Sequence, residues 1–437
     1  MHNAAMPELT PRITRRGFLS RSSLAAAAVM AVPEGLFQPA PGQSDAEIFA
    51  AARRRLLFPE TVTYCNTGTL GASPREVVEA LNQGLERLER DLPDWPYFQA
   101  DGEPLTGYQE LKEARAAVGR LIGADVDEVA ITLNATMGMN FLAGGLDLQA
   151  GDEVLTTDQE HSGGIGGWRL RAKRHGIVLR ELPLGPALER GPEGVVRLFE
   201  EAMTARTRVI MFSHITSGLG VLMPARELTA LAHAHGALSI VDGAQVLGQR
   251  ALDVKAIGCD AYVSSPHKWL LAPKGTGVLY IRREVQPRVW VTLASGRIDP
   301  DETGVFRFMQ YGTGSVPVVD GLLAAIRFVE AIGVARIERW DLMLANRLRD
   351  GLAGIRSVRL ASPADRRLMS AITTFGVSGV TGRQLQDALW ARQIRVRAQG
   401  QTVDRPVRLS AHLYVAPADI DRVLETVAAN AGLPSSV

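Results

Sequence analysis

The order of apolar runs along the chain predicts an α/β protein: a mostly parallel sheet covered by helices, with a smaller α+β domain behind it. Three observations carry this. Short runs of consecutive apolar residues alternate with helical stretches, the pattern of strands buried on both faces. Several runs end in polar turns that open directly into the next segment, as in Asn134-Ala135-Thr136 and Asp242-Gly243-Ala244. From about Asp320 the pattern becomes helix-rich with only a few strands.

Residues 1–43 stand apart from that fold. Thr14-Arg15-Arg16-Gly17-Phe18-Leu19 precedes an uncharged apolar run, Leu24 to Val32. The run is too short for a transmembrane helix, which needs about 20 residues. A basic start before a short apolar segment reads as an export signal. The paired arginines with Phe18 and Leu19 resemble the twin-arginine signal, which implies the twin-arginine translocation machinery as a partner and the periplasm as destination. Losing 1–43 removes Arg12, Arg15, Arg16, Arg21, Glu8 and Glu34, and leaves 44 basic and 45 acidic residues. Residues 44–75 are expected to join the small domain, 76–320 to form the large domain and 321–437 the small one.

Within the large domain, 108–123 reads as an amphipathic helix. Strands are expected at Val129–Thr132, Glu153–Thr157, Arg208–Phe212, Leu238–Val241, Asp260–Ser264 and Gly277–Ile281. Pro224 to Gly236 reads as a helix, with Pro near its start and Gly after its end. In such sheets ligands bind beyond the carboxyl ends of the strands.

Composition narrows the function classes. The chain has 437 residues, 46% hydrophobic and 22% charged, which excludes disordered, collagen-like and disulfide-dense chains. Basic residues number 48 and acidic residues 47. A net charge of +1 gives no support for a nucleic-acid partner or stable association with an anionic membrane. Cys65 and Cys259 fit no zinc spacing and read as separate buried thiols. His233 and His235 are two apart on a helix, cannot share one face, and read as surface residues rather than a metal pair.

The chemistry is expected at the strand ends. Ser264-Ser265-Pro266-His267-Lys268-Trp269 follows a buried strand. A lysine desolvated there has a lowered pKa and is a candidate Schiff-base nucleophile. Asp242 ends another strand, where it reads equally as a ligand to a ring nitrogen or as a helix N-cap. Asn134-Ala135-Thr136-Met137-Gly138 opens a helix, whose free N–H groups make either an anion site or simply a capped end.

Taken in order, these segments resemble the aminotransferase class V family of pyridoxal-phosphate enzymes, near its cysteine desulfurase and isopenicillin N epimerase branches. The stretches that carry the resemblance are Tyr64–Gly71, Glu160-His161-Ser162, Ser213–Ser217, Asp242–Gln245, Ser265–Leu270, Tyr311-Gly312-Thr313 and Val407–Tyr414. The resemblance implies the fold of type I pyridoxal-phosphate transferases, and pyridoxal 5′-phosphate as cofactor. It implies that Lys268 forms the Schiff base and shuttles the Cα proton, that Asp242 pairs with the pyridinium nitrogen and that Gln245 sits near the phenolic oxygen. His161 would stack on the ring, with a catalytic part, and Ser217 would lie beside the cofactor. Ala135, Thr136, Ser265 and His267 would hold the phosphate, with Thr313 reaching it from the partner subunit of a homodimer. Arg408, with Asn66, would bind the substrate carboxylate.

One departure matters. Desulfurases carry a cysteine shortly before the arginine matching Arg408, and Ile394 to Val407 contains none. The expected activity is therefore isopenicillin-N-epimerase-like, at the α-carbon of an amino acid or an amino-acyl group of a peptide. C–S lysis or desulfurase-type elimination, transamination, and a non-catalytic binding protein on the same fold are the alternatives.

Overall fold

The computed structural model describes residues 37–94, 110–295, 303–399 and 406–431. Arg15, Arg16 and the apolar run after them lie outside the described residues. No described helix is long and apolar enough to cross a membrane.

The first strand, β1 (Thr63–Tyr64), belongs to a separate two-stranded pair. The main sheet has seven strands: β2 (Val129–Thr132), β3 (Glu153–Thr157), β4 (Val178–Leu182), β5 (Thr207–Ser213), β6 (Leu238–Asp242), β7 (Ala261–Ser264) and β8 (Gly277–Ile281). Their order across the sheet is β2-β8-β7-β6-β5-β3-β4. Only β8 runs against its neighbours, and the other six share one direction. The sequence finds six of these strands to within a residue or two. β4 escapes it because this edge strand is mostly exposed or half-buried and its apolar run is broken by Arg180 and Glu181.

The helices that matter for the site start where strands stop. α1 (Asp45–Arg53) is capped by Ser44, with Glu47 completing a capping box. α2 (Arg75–Asp91) packs against the helix Val316–Ile332. α3 (Lys112–Ile122) is the described part of the helix expected at 108–123. α4 (Ala135–Gly145) follows β2 and is capped by Asn134, whose Oδ1 accepts from Met137 N at 2.9 Å. α5 (Ser162–His175) follows β3, is capped by His161 and ends at Gly176, φ 73°. Two glycines in the first turn of α5 permit a close approach: a Cβ on Gly164 would lie 2.7 Å from Asp242 Oδ2, and one on Gly163 would collide with Thr136 Oγ1. A side chain at either position would displace Thr136 in the first turn of α4 or Asp242 at the end of β6.

A second, four-stranded antiparallel sheet has the order β12-β13-β10-β9, from β9 (Val358–Leu360), β10 (Ile372–Val377), β12 (Arg397–Ala398) and β13 (Val407–Ser410). Between β10 and β12, β11 (Ile394–Arg395) pairs in parallel with β1. Ser410 of β13 also holds the segment after β1: its backbone N donates to Cys65 O at 2.9 Å, and its Oγ accepts from Gly68 N at 3.0 Å.

Candidate active site

The loop after β7 carries Lys268. The segment Asn66–Gly71 lies directly on it. Gly71 N donates to His267 O at 2.9 Å, and a Cβ on Gly71 would overlap the Lys268 carbonyl. Only glycine allows that crossing. Lys274, the next lysine, is tied down structurally: its Nζ donates to Gly71 O at 2.8 Å and Ser73 Oγ at 3.2 Å. Lys268 differs. Its amine makes no hydrogen bond or ion pair with any described residue, and burial pushes its pKa down to about 8, with Arg408 and Arg397 adding to the fall and Asp242 opposing it. At neutral pH it is far closer to a nucleophilic amine than an exposed lysine is.

Asp242 stands at the end of β6, 4% exposed. Its Oδ1 accepts from Ala244 N at 2.9 Å, the N-cap-like contact that the sequence leaves open. Oδ2 faces the first turn of α5 and takes no hydrogen bond from a described residue. A buried carboxylate with one free oxygen suits a protonated ring nitrogen.

At the N-terminus of α4, Ala135 N donates to Ser265 Oγ at 3.1 Å, and Met137 N is taken by Asn134. The N–H of Thr136, the residue between them, has no acceptor among the described residues. With the Thr136 hydroxyl close by and the helix dipole behind it, this is where an anion fits. His267 Nδ1 bonds the Thr276 carbonyl at 3.0 Å, so Nδ1 carries the hydrogen. Nε2 can therefore donate to a phosphate only when the ring is protonated.

His161 is exposed at the mouth of the cleft. Its Nδ1 accepts from Gly163 N at 3.1 Å, which fixes the ring and leaves the hydrogen on Nε2. Partial desolvation, then the charge of Lys268, holds its pKa below the usual value. Gln245 is more committed than the resemblance implies. Its Nε2 donates to Gly68 O at 2.9 Å and its Oε1 accepts from Trp269 Nε1 at 2.7 Å, leaving one amide hydrogen. Ser217 contributes its backbone carbonyl to the site. Thr313 is exposed and hydrogen-bonds to none of these residues.

Arg408 lies on β13, 4% exposed. Nη1 donates to Ser217 O at 2.8 Å, and Nη2 to Thr69 Oγ1 at 2.7 Å and Asn66 Oδ1 at 3.3 Å. Nε is buried without a partner, and no described carboxylate pairs with the guanidinium. Burial, then Arg397, pushes its pKa down to about 10. A buried cation with only neutral partners is costly unless an anion joins it, and a substrate carboxylate would meet that need.

Both cysteines are buried and free. Burial raises each thiol pKa well above its usual value, which makes both poor nucleophiles. His233 and His235 are exposed, as the sequence reading has them; His233 in addition caps a buried acid, its Nε2 lying 2.8 Å from Asp260 Oδ2.

Sequence reasoning missed several groups. Glu160 accepts from Ser213 Oγ at 2.6 Å and Thr157 Oγ1 at 2.7 Å, and burial raises its pKa to about 7, with Asp242 adding to the rise. Trp269 is held by a buried pair: His412 Nε2 bonds Trp269 O at 2.8 Å, and His412 Nδ1 bonds Asp341 Oδ2 at 2.7 Å. Arg397 and Thr69 join Arg408. The Arg-rich stretch Arg392–Arg397 was the available signal for Arg397.

An amine, a buried carboxylate, an open helix N-terminus and an uncompensated guanidinium thus meet at the ends of β2, β6, β7 and β13. The first three are the donor set for an aldehyde, a pyridinium nitrogen and a phosphate, so the residues fit pyridoxal phosphate. Comparisons with known proteins agree. The chain is 30% identical over 397 residues to isopenicillin N epimerase of Streptomyces clavuligerus, covering 87% of this chain and 98% of that one. It is 26% identical over 390 residues to a probable cysteine desulfurase of Pyrococcus abyssi, covering 84% and 94%. Among solved structures, a lysine-to-alanine variant of the cystine C-S lyase C-DES, with glycine covalently linked to its PLP cofactor, superposes with a TM-score of 0.77. It is 25% identical, with 86% of this chain and 98% of that one covered. The aminotransferase class-V profile matches residues 104–423, and the chain belongs to that family of pyridoxal-phosphate-dependent enzymes.

Proposed function

We propose that this protein moves the Cα proton of an amino acid, or of an amino-acyl group of a peptide, as an epimerase does. One observation carries the proposal: the Lys268 amine is buried and unpaired in a site whose buried arginine has no carboxylate. Pyridoxal phosphate, when bound, supplies a sink for the charge left at Cα. The rest falls to the chain. Lys268 anchors the cofactor and then carries the proton. Asp242 keeps the ring nitrogen protonated, and His161 covers a ring face. Thr136, Ser265 and His267 hold the phosphate. Arg408 and Asn66 fix the carboxylate, and so decide which Cα bond faces the ring.

Epimerisation is favoured over sulfur transfer because both thiols are buried and hard to ionise. Free amino acids and small peptides offered in D2O should gain deuterium at Cα and lose optical purity. Release of pyruvate and ammonia, or of sulfide, would replace this reading with C–S lysis. Formation of an oxo acid with aminated cofactor would replace it with transamination.

The same reading makes the enzyme a homodimer, supported by Thr313, which is exposed in the single chain and matches a family segment that reaches a neighbouring phosphate. A fully active monomer in sedimentation would overturn it. Export to the periplasm by the twin-arginine route is supported by Arg15-Arg16 with Phe18-Leu19. Changing both arginines to Lys should leave a cytoplasmic, cofactor-loaded protein, and unchanged export would rule that route out.

A further inference from the structure

Arg408 has a like-charged neighbour. β12 pairs with β13 so that Arg397 stands directly across from Arg408. Directly opposed residues of an antiparallel pair share a face, with Cβ atoms roughly 4.5–5.5 Å apart, and like charges there repel. Here the two side chains also converge. Arg397 Nη1 donates to Thr69 Oγ1 at 3.2 Å, and Arg408 Nη2 donates to the same oxygen at 2.7 Å. The hydroxyl passes its own hydrogen to Asn66 Oδ1 at 2.7 Å. One neutral oxygen therefore serves two guanidinium groups.

Some arginines of this part of the chain are handled differently. Arg347 pairs with Asp421, Arg422 with Asp419, and Arg395 lies 3.9 Å over the Trp390 ring. Arg397 and Arg408 have no carboxylate among the described residues, and the buried Arg408 Nε has no partner at all. Lys268 feels both charges. One substrate carboxylate on Arg408 would still leave Arg397 unmatched.

We propose that Arg397 binds a second anionic group on the substrate, so that the site selects amino acids, free or at the end of a peptide, whose side chain is acidic. The inference rests on Arg408 taking the α-carboxylate. The two guanidinium groups are joined through a single hydroxyl, so the second anion must lie within a few bonds of Cα. Arg397 is a specificity residue: it sits at the exposed edge of the site and touches none of the groups that would hold the cofactor.

Purified holoenzyme is titrated with aspartate and glutamate, both enantiomers of each, and with asparagine and glutamine, and binding is followed by calorimetry and by cofactor absorbance. Wild type should bind the better acid at least ten-fold more tightly than its amide. Arg397→Gln should erase that ratio while leaving amide binding within about two-fold, which also shows that the variant is folded, and Arg397→Lys should retain part of it. Absence of an acid preference in wild type, or the same ratio in Arg397→Gln, overturns the inference. Arg408→Gln separates the two layers. If it weakens acid and amide alike while Arg397→Gln leaves the ratio unchanged, only the second-anion reading falls. If Arg408→Gln changes neither ligand, the α-carboxylate reading falls first, and this inference with it.

Discussion

Replacing Lys268 with Ala should lower turnover by at least about 10³-fold, since the residue is both the anchor of the cofactor and the carrier of the proton, and general acid–base groups alone contribute 10²–10⁴-fold. The variant should fold and still take up pyridoxal phosphate through Thr136, Ser265, His267 and Asp242. It should lack the linkage that borohydride reduces in the wild-type protein. A pH signature accompanies this. Only the unprotonated amine attacks an aldehyde, and burial has brought the Lys268 pKa from 10.5 down to about 8. Uptake of pyridoxal phosphate by apoprotein should therefore accelerate as pH rises toward 8 and level off above it, rather than continue to climb toward 10.5. A reducible linkage in Lys268→Ala, or an uptake rate still rising steeply above pH 9, would remove Lys268 from this role.

Arg408→Lys should damage substrate handling strongly while leaving the cofactor and its linkage to Lys268 in place. Lysine keeps a charge but loses the planar fork that meets both carboxylate oxygens and stops rotation about Cα. It also cannot reach Ser217 O, Thr69 and Asn66 together, so buried acceptors now served by Nη1 and Nη2 would be left open. Loss of a charge-assisted contact costs about 2–3 kcal/mol, or roughly two decades in kcat/KM. Both terms should suffer: KM because binding weakens, and kcat because pose decides which bond aligns with the ring. Cofactor absorbance should stay unchanged. A variant with wild-type KM would show that the substrate carboxylate sits elsewhere.

The sequence was most informative where local rules decide the outcome. β3, β5, β6, β7 and β8 lie inside the sheet, and β2, although at its edge, is equally buried, so all six are mainly apolar and stand out. The turns after them carry Asn134, His161, Asp242 and Lys268, and strand ends are where such folds collect their chemistry. What stayed hidden depends on register and distance. β11 and β12 have two residues each, and no periodicity can reveal them. Nothing in the order of residues puts Arg397 opposite Arg408, because that follows from one antiparallel pairing. Likewise Gln245 reads as a free amide until folding sets Gly68 and Trp269 against it, and the partner of exposed His233, the buried Asp260, is set by the fold alone. The His412–Asp341 pair behind Trp269 joins residues 71 positions apart, and neither residue alone distinguishes itself from ordinary polar sequence.

The segment Asn66–Gly71 has a consequence for how the protein is made. Asn66 and Arg408 meet across 342 residues of chain, and Gly68 and Ser410 across the same span. Contacts that close so long a loop form late, because their entropy must be lost before they give anything back. A ribosome adding about 5–20 residues per second spends tens of seconds between the two ends of that loop. The main sheet is fully synthesised once Ile281 is made, with Asp242 and Lys268 before it, and the 127 residues from 281 to 408, roughly 6–25 s at that rate, still separate it from the wall that presents Arg408. A nascent chain can thus meet pyridoxal phosphate before it has any means of holding substrate, and selectivity is the last property the molecule acquires. Loss of a short piece from the end of β13 would then yield a coloured protein with nothing to grip an amino acid.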